Sequence, residues 1–536
     1  MQWSESQLGQ VQSAFFVGYA LTQVFGGLLG GRTATTRGGA ATIEDDSNFD
    51  IDDGSEGINT NSDISTTNQQ RFRQILPVSL VLTGITTLLF PIAATAGPNW
   101  AILDRFSLGL LEGVLLPAAM AGVGSTTAAT AIATTSSSAE DAIYTSYDTI
   151  TTTTTTDKRK NSIRQNNKDI KATASAIVIA GCYLGSAWAY LSAWIILSES
   201  SQLLLTQWGL LQHDSSSTPS VWPLLFYVNG TLSLVITILF SDEFDLSFWR
   251  NNNVSGNMNG SKKYHDNTDT TSSSTMAIMD DAIAIVKETL SSKSGRAIVA
   301  AQVGQGALLY SIASWGPLYL EKFADVSTAT ANAVDTSSSS SLALVSSTAV
   351  AASIAASSLV VPQITQSLIG VSIGVGADKL SSTIGSRLTR RFLQFISGVG
   401  PAMILVYLSF LASADSSGDG TMFLSPAFLF GSAQTISAVS LGAVSVSHLE
   451  VATPSKAGAV YALGNVFAAI SGSITVSLFG FFLDKDHGQQ VATTASDFSL
   501  PFQIVALLSA VGSIFYSLSI ESDIEIGVQE TKKHMM

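Results

Sequence analysis

Eleven stretches of about 20 apolar residues, separated by polar loops, constrain most of what this chain can fold into. They lie at about 11–31, 75–96, 100–124, 174–198, 221–240, 298–320, 352–377, 392–413, 422–447, 457–482 and 499–520. At 1.5 Å rise per residue, a 20-residue helix covers about 30 Å, the thickness of the hydrocarbon core of a bilayer. Within that layer no water reaches the backbone, so each span has to satisfy its own hydrogen bonds as a helix. The composition agrees, with 46% hydrophobic and 12% charged residues and a mean hydropathy of +0.34. An all-α polytopic membrane protein is expected. The net charge of −14 describes a loop more than a binding surface, because much of the acid falls between Glu44 and Asp63. Cys182 is the only cysteine, which excludes an intrachain disulfide and a cysteine-rich metal site. No P-loop, GxSxG or HExxH motif is found, so no enzyme is expected. No basic-then-hydrophobic leader precedes Val11, so no signal or transit peptide is expected.

Lys and Arg set the orientation. If the first visible span runs towards the cytoplasm, 23 of the 26 basic residues fall on the cytoplasmic side. Only Lys322 and Lys485 fall opposite, and only Arg105 lies within a span. Residues 33–70, 125–170, 251–275 and 326–345 are rich in Ser, Thr, Asn, Asp or Ala, including an unbroken run from Thr151 to Thr156. Such segments bury too little apolar surface to fold and read as disordered insertions. Two glycosylation sequons, at Asn253 and Asn259, fall on the cytoplasmic side and are discounted. Between them and the next span, Met276–Leu290 reads as an amphipathic helix on the cytoplasmic surface.

The span from Trp100 to Gly124 is unusual in carrying Asp104, Arg105 and Glu112. A charge at the bilayer centre costs roughly 2.5–3.5 kcal/mol on insertion scales, so it faces a cavity or a partner. Seven positions separate Arg105 from Glu112, which on a helix is nearly one face and roughly 10 Å along the axis. That pair suits a carrier that binds an anion and couples it to a cation or proton. A structural Arg–Glu pair between helices fits the spacing equally well.

The loop from 241 to 295 divides the chain into an N-terminal bundle (1–240) and a C-terminal bundle (296–520), followed by a tail (521–536). GGLLGGR, ending at Arg32, closes the first visible span, and GVGADK, ending at Lys379, closes the seventh. If these are equivalent, each half has six helices and one precedes residue 1. Repeated halves with a midplane site between them describe a secondary transporter.

The residues Gly9–Gly27 (GQVQSAFFVGYALTQVFGG), Asp104–Ala118 (DRFSLGLLEGVLLPA) and Ala180–Ala189 (AGCYLGSAWA) carry a resemblance. WPLLFYVNG from Trp222, SWGPLYLEKF from Ser314, SHLEVATPSKAG from Ser447 and GNVFAAISGSI from Gly464 extend it in order over nearly every span. The sequence resembles the anion:cation symporter branch of the major facilitator superfamily. That branch includes sodium-dependent phosphate transporters, vesicular glutamate transporters, sialin, hexonate transporters and plastid phosphate or ascorbate carriers. The plastid phosphate group is nearest in pattern, because Gln12 precedes FF-GY and YLGS opens the fifth helix.

The resemblance implies two pseudo-repeated bundles with twelve helices in all, with the first helix, which carries its own substrate arginine, lacking here. It implies that Arg105 binds the anion and that Glu112 serves proton coupling or gating, with Asp378 of GVGADK a second gating candidate. Tyr19 and Asn465 match cavity-lining positions, where an ordinary packed aromatic and an interhelical contact are the plain alternatives. Gln12 and Gln305 stand at substrate-side positions where vesicular glutamate transporters have His and Arg, which argues against glutamate. Cys182 replaces a glutamine of hexonate transporters, and Gly31 an acid of the loop after the second helix. His448, at the cytoplasmic end of its span, is expected to cap a helix or face the surface.

The expected function is secondary active transport of a small anion, inorganic phosphate first, coupled to sodium or protons by alternating access. A carrier of ascorbate or another carboxylate and a truncated, non-transporting membrane protein are the alternatives. The expected partners are the anion and the lipid bilayer. No cofactor beyond the coupling ion and no nucleic acid is expected, and the protein is expected to be a monomer.

Overall fold

The computed structural model describes residues 3–31, 60–124, 170–198, 201, 221–239, 270–333, 342–414, 425–484, 495–521 and 526. The acidic insertion, the threonine run and both sequons lie outside the described residues. Among the described residues the architecture is all helical, and the only β-type pairing is an isolated bridge between Ala452 and Ile526.

The helices are α1 (Glu5–Gly31), α2 (Thr60–Ala96) and α3, which spans Pro98–Gly124 and is broken by a turn at 113–114. Then come α4 (Lys171–Leu197), α5 (Trp222–Leu239), α6 (Thr270–Ser291), α7 (Lys293–Ala333) and α8 (Leu342–Ile384). They are followed by α9 (Ser386–Ala414), α10 (Pro426–Val451, with 438–442 wound as 3₁₀), α11 (Pro454–Leu483) and α12 (Ser499–Ser519).

Ten of these are long and apolar enough to cross a membrane, each at one of the expected positions. The remaining expected span is α1, a 27-residue helix whose apolar run is interrupted by Gln12, Ser13 and Gln23. Helix extends into parts of the expected insertions, since α2 begins at Thr60, α6 at Thr270 and α8 at Leu342, and α7 continues to Ala333. Lengthening a nucleated helix by Ala, Ser or Thr costs little per residue, whereas starting one is expensive.

Local chemistry explains the ends. The Ser4 hydroxyl accepts from the Gln7 N–H (3.3 Å) while the Gln7 side chain accepts from the Ser4 N–H (3.0 Å), a reciprocal capping pair that starts α1. Gly97, at φ 133°, makes the tight reversal that only glycine adopts freely, and Pro98 opens α3. The Ser425 hydroxyl accepts from the Phe428 N–H (3.2 Å) at the start of α10, again just ahead of a proline.

The packing repeats. In the first half α1 packs on α3, and α2 packs on α3 and α5; in the second half α8 packs on α10, and α9 packs on α10 and α12. Helices 1–5 thus correspond in order to helices 8–12. The halves meet through the exchanged pairs, α1 with α11 and α8 with α4, as two related bundles facing each other would. The two broken spans, α3 and α10, are counterparts in this scheme. Outward faces carry Leu239 (72% exposed), Leu518 (71%) and Val361 (66%), apolar surface that fits a lipid belt.

α1 and α3 run parallel and touch backbone to backbone. A Cβ at Gly18 would sit 2.1 Å from the Phe106 carbonyl oxygen, and one at Gly109 would sit 2.0 Å from that of Phe15. Small residues permit this approach. Gly109→Val is therefore expected to force the helices apart and destabilise the detergent-purified protein by about 1–3 kcal/mol. Gly122→Ala, where a Cβ meets nothing within 4 Å, is expected to leave the melting temperature unchanged.

Candidate functional site

A cavity of about 550 Å³ opens at the end of the bundle that holds the start of α1, the end of α2 and the start of α5. Trp3, Leu8, Val11, Gln12, Phe15 and Phe16 come from the α1 side, and Phe90 and Ala94 from α2. Arg105 comes from α3, Trp222 and Phe226 from α5, and Ser314 from α7 of the other half. The wall is apolar except for Gln12, Arg105 and Ser314.

The α1–α3 register sets the depth of Arg105. Gly109 faces Phe15, so Arg105, one turn earlier on α3, lies level with Gln12. Its guanidinium carbon sits 3.9 Å from the Phe90 ring centre and 5.3 Å from that of Phe226. The Phe90 and Phe226 rings are 4.5 Å apart, and Trp222 meets both edge-on. Rings therefore hold the faces of the guanidinium. Among the described residues no hydrogen bond or ion pair takes its N–H groups, although Asp104 and Glu112 lie within electrostatic range.

Gln12 Nε2 donates to the Ser314 carbonyl (3.4 Å), across the two halves, and its buried Oε1 accepts from nothing. One turn or more deeper, Asn465 Nδ2 of α11 donates to the Tyr19 hydroxyl (3.4 Å), again across the halves. Phe16 stacks on Tyr310 of α7 at 4.3 Å. Glu112 lies beside the turn that breaks α3, where its charge acts on Arg105 and on Cys182. Cys182 is solvent-accessible although Tyr19, Tyr183, Tyr310 and Tyr461 lie within its electrostatic range, which fits a position on an interior void.

The structure thus brings Arg105 and Gln12 to the cavity wall, whereas Tyr19, Asn465 and Glu112 do not line this cavity, Tyr19 and Glu112 lying further along the same helices. It does not bring Gln305 to the cavity either. Gln305 Nε2 donates to the Ser437 carbonyl (3.3 Å) and to Ser440 Oγ (3.1 Å), bracing the 3₁₀ stretch of α10. Asp104 borders Arg105 but does not line the cavity, and its Oδ2 is buried without a partner. The aromatic partners of Arg105 went unread in the sequence. The available signal was Trp222 and Phe226, spaced i, i+4 on one helix face.

The opposite end of the bundle is closed. Asp378, 2% exposed at the end of α8, accepts from the Ala172 N–H (3.0 Å), the Thr173 N–H (2.8 Å) and the Thr173 hydroxyl (2.7 Å). A carboxylate at a helix N-terminus satisfies otherwise orphaned donors and the helix dipole, and here the capped helix, α4, belongs to the other half. Lys171 Nζ donates to the Leu449 carbonyl (2.9 Å), a second link between halves. Arg390, 1% exposed, pairs with Glu450 (2.9 Å) and donates to the Gly442 carbonyl (2.7 Å), fixing α9 to α10. His448 is also at this end, but fully buried against Tyr461 (4.9 Å), with both ring nitrogens unpartnered. It neither caps a helix nor faces the surface, because the closed cross-half contacts cover the end of α10.

No known family model and no curated protein matches the chain. Among solved structures it is similar to the nucleoside transporter NupG, at 14% identity over 97% of this chain and 92% of that one, with a TM-score of 0.46. It is similar to the proton:xylose symporter XylE of the major facilitator superfamily, at 11% identity over 99% and 98%, with a TM-score of 0.44. A bacterial homologue of the human lysosomal transporter Spinster matches at 12% identity over 96% and 95%, with a TM-score of 0.41.

Cys182, the single cysteine, reports on the closed end. Asp378→Asn keeps the shape of the cap and removes its charge. It is expected to raise the rate at which a membrane-impermeant maleimide, applied from the end that holds Asp378, labels Cys182 by several-fold.

Proposed function

We propose that this chain is a secondary active transporter of the major facilitator type that carries a small anion. The observation that supports this best is Arg105, a guanidinium whose donors have no hydrogen-bond partner among the described residues within a largely apolar cavity. A cation held on rings with its planar fork free is suited to bidentate, charge-assisted bonds to a carboxylate or phosphate. The cavity opens at one end of the bundle, while Asp378 and Lys171 tie the halves together at the other. Releasing those links and closing the cavity would expose the same site to the opposite side.

Glu112 is the coupling acid in this reading. Arg105 acts on Glu112 by its charge, and an anion bound to Arg105 cancels part of that field. Proton and anion then favour each other's binding, and the linkage is reciprocal. Sodium is the alternative coupling ion. The resemblance ranks inorganic phosphate above an organic carboxylate.

In proteoliposomes, Arg105→Ala is expected to reduce anion uptake to background while the protein still inserts and elutes as a single species. Uptake at the wild-type rate would sink the assignment. Glu112→Gln is expected to retain anion-for-anion exchange and to lose accumulation driven by an imposed ion gradient.

A further inference from the structure

The walls of the cavity discriminate among anions. We propose that the ligand is a monocarboxylate with a flat aromatic body that carries a hydrogen-bond donor, and that inorganic phosphate is disfavoured. This rests on the anion-carrier reading and narrows it.

Charge comes first. Among the described residues, Arg105 is the only charged one that lines the cavity. A carboxylate has two oxygens, and one guanidinium fork pairs both. Phosphate has four oxygens and more charge. With two on the fork, the rest would face Phe15, Phe90, Trp222 and Phe226, which offer no comparable donors. An ionised oxygen taken from water and left unpaired is strongly penalised.

Shape comes second. A volume of about 550 Å³ lies in the range that encloses organic ligands. Two aromatic walls bound it. Phe90, Trp222 and Phe226 form one on α2 and α5, and Phe15 and Phe16, 5.3 Å apart, form the other on α1. α1 touches α2 only slightly, so the two sets face the cavity from separate helices. Ring faces and edges on both sides suit a planar ring, which gains stacking or edge contacts that a puckered ring lacks.

The third observation is Gln12. Its Nε2 faces the Ser314 carbonyl, which can only accept, so the amide orientation is determined and the buried Oε1 remains as an acceptor without a donor. Gln12 is level with Arg105 on the neighbouring helix. A hydroxyl or N–H on the ring, away from the carboxylate, would satisfy it.

The test uses the full-length purified protein and its intrinsic tryptophan fluorescence, because Trp3 and Trp222 line the cavity. The probes are 4-hydroxybenzoate, benzoate, cyclohexanecarboxylate and inorganic phosphate. 4-Hydroxybenzoate is expected to bind at least about tenfold more tightly than cyclohexanecarboxylate or phosphate, and more tightly than benzoate. Phe226→Leu is expected to weaken its binding several-fold, and Gln12→Met to erase the preference for the hydroxylated ring. Phosphate that binds as tightly as 4-hydroxybenzoate, in an Arg105-dependent manner, overturns this proposal and leaves the anion carrier standing. If none of the four binds and Arg105→Ala transports as wild type, both readings fall together. Equal binding of cyclohexanecarboxylate and 4-hydroxybenzoate also overturns the aromatic specificity.

Discussion

The guanidinium of Arg105 has to be held at membrane depth without a counter-ion in contact among the described residues, and much of the first half is arranged to do that. Insertion of such a charge costs roughly 2.5–3.5 kcal/mol, and a desolvated cation–π contact returns about 2 kcal/mol. The Phe90 and Phe226 rings therefore offset most of the cost and leave a remainder for a ligand to supply. Three helices have to be in register for this. The Gly97 reversal sets α3 beside α2, which brings Phe90 to Arg105, and the glycine contact between α3 and α1 brings Gln12 to the same depth. Among the described residues, the charged and aromatic side chains that meet at Arg105 all come from helices.

The exchanged contacts, α1 on α11 and α8 on α4, carry most of the packing between the halves. Long apolar interfaces can rock with little change in buried area, whereas polar links form or break discretely. Two polar links join α4 to the other half at the closed end. Asp378 accepts three hydrogen bonds from α4, and Lys171 donates one to α10. At about 1 kcal/mol net for a neutral hydrogen bond and about 1.5–3 for one to a charged group, the closed end is held by an amount that a ligand's differential affinity can match.

The spans were legible because an apolar run of that length has few alternatives to a membrane helix, and Arg105 and Glu112 because ionisable residues inside such runs are rare. What surrounds them was not. Phe90, Trp222 and Phe226 sit in spans where aromatics are common, and hydrophobicity does not say which helix a ring will face. Gln305 shows the limit of a matched position, since its depth in the span fits a binding role but its side chain is taken by Ser437 and Ser440. His448 departs from expectation for a related reason. Its place at the end of a span suggests a cap or an exposed side chain, but α4 of the other half and Tyr461 of α11 cover that end of α10 and bury the ring.

The two halves close by different chemistry, which follows from one residue pair. By the packing correspondence of α1 with α8, Gly31 stands where the other half has Asp378, so no carboxylate from α1 can cap α11 as Asp378 caps α4. The start of α11 is covered by other parts of the chain. Lys456 pairs with Glu288 of α6 (3.1 Å), Leu28 of α1 packs with Ile285 of α6 and Ala459 of α11, and the Thr453 N–H donates to the Ile526 carbonyl (3.1 Å). A carboxylate cap is short-ranged and yields over a fraction of an ångström. The α6 contact is largely apolar, reaches α1 and α11 together, and has to be left as a unit. Separating the halves at this end therefore requires α6 to part from at least one of them, which ties the segment between the bundles to how the halves meet.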